Sequence, residues 1–144
     1  MHEVEAYRLL IADVYELAGL SRRTSEELAR SLGQTAARWH VLSVLSDGPR
    51  TVPSAARRLG LAPQSVQRVV GDLVDAGLLE AVDNPDHARS PLMRLTVRGR
   101  AVVDELFARS QDDRAGAVAR AGITADELLA AREVVRKLAA ALRG

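Results

Sequence analysis

Two rows of residues seven apart run through the first third of the chain. One is Val4, Ile11, Ala18, Ser25 and Leu32; beside it lie Tyr7, Val14, Ser21 and Leu28. A spacing of seven keeps each row on one side of a helix and forms a stripe that another helix would cover. Gly19 and the Ser-Arg-Arg-Thr run at 21–24 weaken its middle. Thr24 and Glu27 have the spacing of a capping box, which would open a second helix there. The pattern therefore predicts either one helix with a soft centre, which we favour, or two helices over residues 3–32, ended by Gly33.

Thr35 is placed to cap a helix over Ala36–Ser46, with Trp39, Leu42 and Leu45 on one face and Val41 and Val44 beside them; Asp47-Gly48-Pro49 stops it. Thr51 opens a short helix, Val52 to Leu59, with Pro53 tolerated in its first turn and Gly60 at its end. Pro63 starts the next helix, which carries Val66, Val69, Val70, Leu73 and Val74 as a buried stripe up to Gly77. Gln64, Arg68, Gly71 and Asp75 fall opposite that stripe, with Gln67 near its edge. The period then changes. Leu78–Val82 and Leu92–Thr96 read as two short strands joined by the turn-rich segment 83–91. Thr96 is placed to cap a long helix from Val97 that buries Val103, Leu106 and Phe107 and is weakened at Gly116 and Gly122. Thr124, with Glu127 as a capping box, opens a last helix whose Leu128, Val135, Leu138 and Leu142 form another stripe.

The order helix, helix, short helix, helix, hairpin, helix, helix predicts a mainly α protein. The short helix, tight turn and polar-faced helix have the pattern of a helix-turn-helix, and the hairpin after them makes it the winged variety. The expected organisation is an N-terminal helix (1–33), a winged helix-turn-helix DNA-binding lobe with a two-stranded β wing (34–99) and C-terminal helices (100–144), the two terminal stripes suiting either dimerisation or packing on each other within one chain.

Charge sharpens this picture. The net charge of +1 hides an uneven distribution: residues 50–100 carry eight Arg against five acids, while residues 1–49 are acidic by two and residues 101–144 are balanced. A basic middle third suits phosphates. Cys is absent and only four residues are aromatic. The first excludes disulfides, thiolate metal sites and cysteine redox switching; the second argues against base-stacking single-strand binding. No apolar run approaches the ~20 residues of a membrane span, and no secretory leader is visible, so a cytoplasmic protein without membrane contact is expected.

The stretch TVPSAARRLGLAPQSVQRVVGDLVDAGLLE at 51–80, followed by DNPDHARSPLMRLTVRG at 83–99, resembles the MarR family of transcriptional regulators. The second piece is the more specific: an Asp- and Arg-bearing wing followed by Leu-Thr-x-x-Gly. RWHVLSVL at 38–45 is similar to the family's second helix, so the resemblance covers residues 36–100. It implies a homodimer paired through its first and last helices, binding a palindromic operator on double-stranded DNA as a repressor. It also implies release by a small aromatic or anionic effector held between the dimer helices and the DNA-binding lobe. Tyr7, Trp39 and His40 are the candidates to line that pocket, although a core Trp beside a partly satisfied His is the plainer reading.

On the recognition helix, Pro63, Gln64, Ser65, Gln67 and Arg68 are the candidate DNA-contacting residues. Gln pairs bidentately with adenine and Arg with guanine, while Arg also holds phosphates. On the wing the candidates are Asp86, His87 and Arg89. A tip Arg suits the focused negative potential of a minor groove, and the resemblance implies that Asp86 holds Arg89. Family members often carry a second Arg where this chain has Ala88. Arg57, Arg58, Arg94 and Arg98 are candidates for phosphate contacts.

No catalysis, cofactor or metal is expected. Asp86, His87 and Ser90 contain the members of a hydrolase triad, but a loop tip offers no buried acid and no oxyanion site. His2, His40 and His87 are scattered, without metal-ligand spacing. The alternative function is a winged-helix protein-interaction module without DNA binding.

Overall fold

The computed structural model describes residues 1–144. Six helices and two strands follow in the order α1 (Glu3–Ser31), α2 (Ala36–Val44), α3 (Val52–Leu59), α4 (Pro63–Asp75), β1 (Leu79–Val82), β2 (Leu92–Leu95), α5 (Val97–Ala121) and α6 (Ala125–Arg143). The chain forms two compact units, Met1–Phe107 and Ala108–Gly144.

The first unit holds the buried core. Val41, Leu42 and Leu45 of α2 meet Ala55 and Ala56 of α3, Val66, Val70 and Leu73 of α4, and Leu78, Leu79, Met93 and Val103. A satellite cluster joins Ala29, Trp39 and Leu106, with Leu28, Leu32 and Phe107 packed against it. Helix α1 is continuous through residue 24, as the favoured one-helix reading has it, and the alternative second cap at Thr24 does not form. The Thr24 hydroxyl instead donates to the Leu20 carbonyl one turn back, at 3.2 Å. The helix ends where expected: the Gly33 and Gln34 N–H groups return to the Arg30 and Ala29 carbonyls, and Gly33 takes φ +71°.

Helix α2 is shorter than its apolar pattern suggests. It stops at Val44, and the Ser46 N–H closes a tight turn onto the Ser43 carbonyl. The stripe on α4 is also narrower: Val66, Val70 and Leu73 are buried, but Val74 is exposed. Val74 lies about 100° round the helix from Leu73. Strands β1 and β2 pair antiparallel, Leu79 opposite Leu95 and Val82 opposite Leu92. Arg50 adds a bridge to Met93, donating at 3.1 Å and accepting at 2.7 Å, which ties the α2–α3 connection to the wing.

In the second unit α5 passes through Gly116 and ends at Ala121, with Gly122 at φ +67°. One glycine costs a helix only about 1 kcal/mol, too little to break a long one. Thr124 caps α6 by accepting from the Glu127 N–H at 3.2 Å, and its hydroxyl also donates to the Glu127 carboxylate. No residue of α6 is buried.

Candidate nucleic-acid interface

Helices α3 and α4 are set by local chemistry. Thr51 caps α3, accepting from the Ser54 N–H at 3.2 Å. Gly60, at φ +70°, makes the left-handed turn that a side-chain-bearing residue would resist. Pro63 then starts α4, whose preceding residue, Ala62, supplies no side-chain cap. With Val66, Val70 and Leu73 fixed in the core, Pro63, Gln64, Ser65, Gln67 and Arg68 are left exposed.

The wing stands beside this face. A cleft of about 450 Å³ is lined by Pro63, Gln64 and Gln67 of α4, by Val52 and Pro53 at the start of α3, and by Arg89, Ser90, Pro91 and Met93 of the wing. The structure thus brings recognition-helix and wing candidates to one groove. Arg68 and Arg89 are exposed and carry no hydrogen bond or ion pair. Arg57 and Arg58 on α3 are exposed in the same way, Arg58 beside a smaller cleft with Arg50 and Asp47.

Three expectations change. Asp86 does not hold Arg89: it lines a different cleft, with Asp47, Arg50, Thr51, Ser54, Asn84 and Leu92, and its N–H bonds to the Asn84 side chain. The Arg94 guanidinium is engaged across the strands by the Glu80 carboxylate at 2.8 Å, so its charge is already shared. Arg98 reaches back to the Ala76 carbonyl at 3.4 Å, at the end of α4, rather than standing free. The exposed His87 makes no side-chain bond to Asp86 or Ser90. No group of three or more metal-ligating side chains converges, and no helix is long and apolar enough to cross a membrane.

The three effector-pocket candidates do not converge. Trp39 is buried against Ala29 and Leu106, while Tyr7 is exposed on the N-terminal part of α1. His40 faces a cavity of about 540 Å³, with Ala18, Ser21, Arg22, Glu26, Ala36, Ala37, Leu59 and Leu61. Adjacent residues on a helix point about 100° apart, which sends Trp39 inward and His40 outward; their rings are 6.4 Å apart. Arg22 and Glu26 were not evident as partners of His40, because only the packing of α1 on α2 brings them together.

Burial holds His40 below its ordinary pKa near 6.5; the Arg22 charge lowers it further and Glu26 opposes. The folded state therefore takes up this proton later than the unfolded chain does. Stability is retained at neutral pH and lost as pH falls from about 6.5 toward the lowered folded value. In thermal melts between about pH 7.5 and about pH 5, His40→Gln should lose less stability on acidification than the parent does. Equal losses would show that His40 is not the group responsible.

A family model described as MarR family matches residues 32–90. An uncharacterized protein of Mycobacterium tuberculosis is 55% identical over 101 residues, covering 70% of this chain and 71% of its own. A solved MarR family transcription regulator is 26% identical, covers 99% of this chain and 93% of its own, and superposes with a TM-score of 0.72. A mutant MarR from E. coli complexed with operator DNA shares the fold at 22% identity and a TM-score of 0.71, covering 96% of this chain and 99% of its own. With the short helix, the exposed recognition helix and the wing in this order, the chain belongs to the MarR family of winged-helix transcription regulators.

Proposed function

We propose that this chain is a repressor that binds a palindromic operator on double-stranded DNA as a homodimer and is released by a small anionic molecule. The observation that carries the DNA contact is the shared groove: Gln64 and Gln67 on α4 line it with Arg89 of the wing, and Arg68 stands exposed and unpartnered on the same helix. Unpaired guanidiniums on an exposed helix face suit phosphates and guanine edges. A structural neighbour solved with operator DNA supports this reading. Exposed apolar residues along α1 and α6 support pairing of two copies. The cavity holding Arg22 and His40 is the effector candidate, its Arg charge favouring an anion.

Selection of bound duplexes from a random pool tests the reading, and an inverted repeat is the expected product. On that site Arg68→Ala should cost about 1–3 kcal/mol and relax the preferred sequence. Arg94→Ala should change the slope of log K against log salt by less than the ~0.9 of one fully neutralised phosphate, because Glu80 shares its charge. A full-sized change at Arg94, or binding that ignores salt, would contradict this.

A further inference from the structure

The segment Asp83–Pro91 between the wing strands is polar, yet one side chain holds it from within. The Asn84 Oδ1 accepts from the Asp86 N–H at 3.0 Å, and its Nδ2 donates across the loop to the Ser90 carbonyl at 2.9 Å. Backbone bonds from the His87 N–H to the Asn84 carbonyl (3.2 Å) and from the Ser90 N–H to the His87 carbonyl (3.3 Å) complete two turns. Asn84 is half-buried, while Asp83 and residues 85–89 are exposed. Pro85 and Pro91 fix φ on either side of the tip, and Ser90, which precedes a proline, is restricted to extended backbone.

Arg89 is the residue immediately before the clamped carbonyl. Its own side chain makes no bond within the protein, and Asp86 faces another cleft. The backbone is therefore what aims Arg89, and Asn84 is what holds that backbone. We propose that Asn84 is the positioning residue of the wing: its amide clamps the tip so that Arg89 meets a duplex already ordered. The role at DNA rests on the operator-binding reading above; the clamp itself does not. A loop ordered before binding loses less conformational entropy on binding, so the clamp shows as affinity. An amide supplies both halves where an ionised carboxylate could not, since the Ser90 carbonyl needs a donor and the Asp86 N–H an acceptor.

The test uses the full chain, with duplexes selected from the random pool, and the variants Asn84→Ala, Arg89→Ala and both together. Fluorescence anisotropy should show Asn84→Ala weakening binding about tenfold. On the Arg89→Ala background the same change should add less than about twofold, because the aimed group is gone. A second readout needs no DNA. Trypsin cleavage at the Arg89–Ser90 bond, followed by mass spectrometry, should run about tenfold faster in Asn84→Ala, since the clamp restrains that peptide. Wild-type nicking in Asn84→Ala, or a full loss of affinity persisting on the Arg89→Ala background, would overturn the proposal. If the parent protein binds no duplex, the operator reading fails, and the nicking rate still decides the clamp.

Discussion

Gly99→Ala should destabilise the protein by about 3 kcal/mol or more, at the upper end of what single substitutions cost. A Cβ at this position would sit 2.0 Å from the Leu78 carbonyl oxygen and 3.0 Å from its carbon. Those are backbone atoms and cannot rotate away. The contact is close because Thr96 pulls the start of α5 onto the entry to β1: its hydroxyl donates to the Gly77 carbonyl at 2.7 Å and accepts from the Gly99 N–H at 3.1 Å. The Thr96 N–H donates to the Leu78 carbonyl at 3.1 Å. The Leu-Thr-x-x-Gly motif is thus a joint between wing and helix: threonine makes the bonds and glycine leaves the room. Gly116→Ala is the control. It lies in the same helix, meets only the flexible end of Arg120, and should stabilise by about 0.4–1 kcal/mol. Urea denaturation at one fixed protein concentration compares the two. A Gly99→Ala variant within about 0.5 kcal/mol of the parent would mean that the joint opens freely.

The winged helix-turn-helix was legible because its signals are local. Thr51, Gly60, Pro63 and Gly77 each act within a few residues of themselves, and the α4 stripe decided which side chains stay exposed. What the pattern left open was decided by packing at a distance. Thr24 and Glu27 match a capping box as well as Thr124 and Glu127 do, yet only the latter pair starts a helix. Around Thr24 the helix runs on and the hydroxyl bonds a carbonyl of its own helix, while Ala29 further along is buried with Trp39 and Leu106. The cavity beside His40 was hidden for the same reason, since Arg22 comes from another helix. The wing clamp was hidden by ambiguity: Asp83, Asn84, Asp86 and Ser90 all suit a turn, and only the fold shows that Asn84 spans it.

Val135→Asp should convert a dimer into monomers and abolish tight operator binding. Leu128, Val135 and Leu142 are seven apart on α6 and remain 42%, 43% and 71% exposed. On α1, Val4 and Tyr7 are exposed as well. Apolar rows of this length left open to water mark an interaction surface. An isologous dimer places each altered side chain at the interface twice. A carboxylate left unpaired in an apolar seam costs several kcal/mol, so two copies should raise the dimer dissociation constant at least about a thousandfold. Because Val135 is already partly exposed in the single chain, the variant should keep its helical circular dichroism, which separates dissociation from unfolding. Val97→Asp serves as the control: Val97 is 89% exposed at the start of α5, outside both stripes, where an acidic residue suits the helix N-terminus. Sedimentation velocity should show a dimeric parent, a dimeric Val97→Asp and a monomeric Val135→Asp. A dimer presents two recognition helices about one DNA turn, or ~10 bp, apart, so the monomer should lose the inverted-repeat preference and retain only weak half-site binding. A parent that sediments as a monomer at micromolar concentration, yet binds a single half-site at full strength, would rule out operator recognition by a dimer.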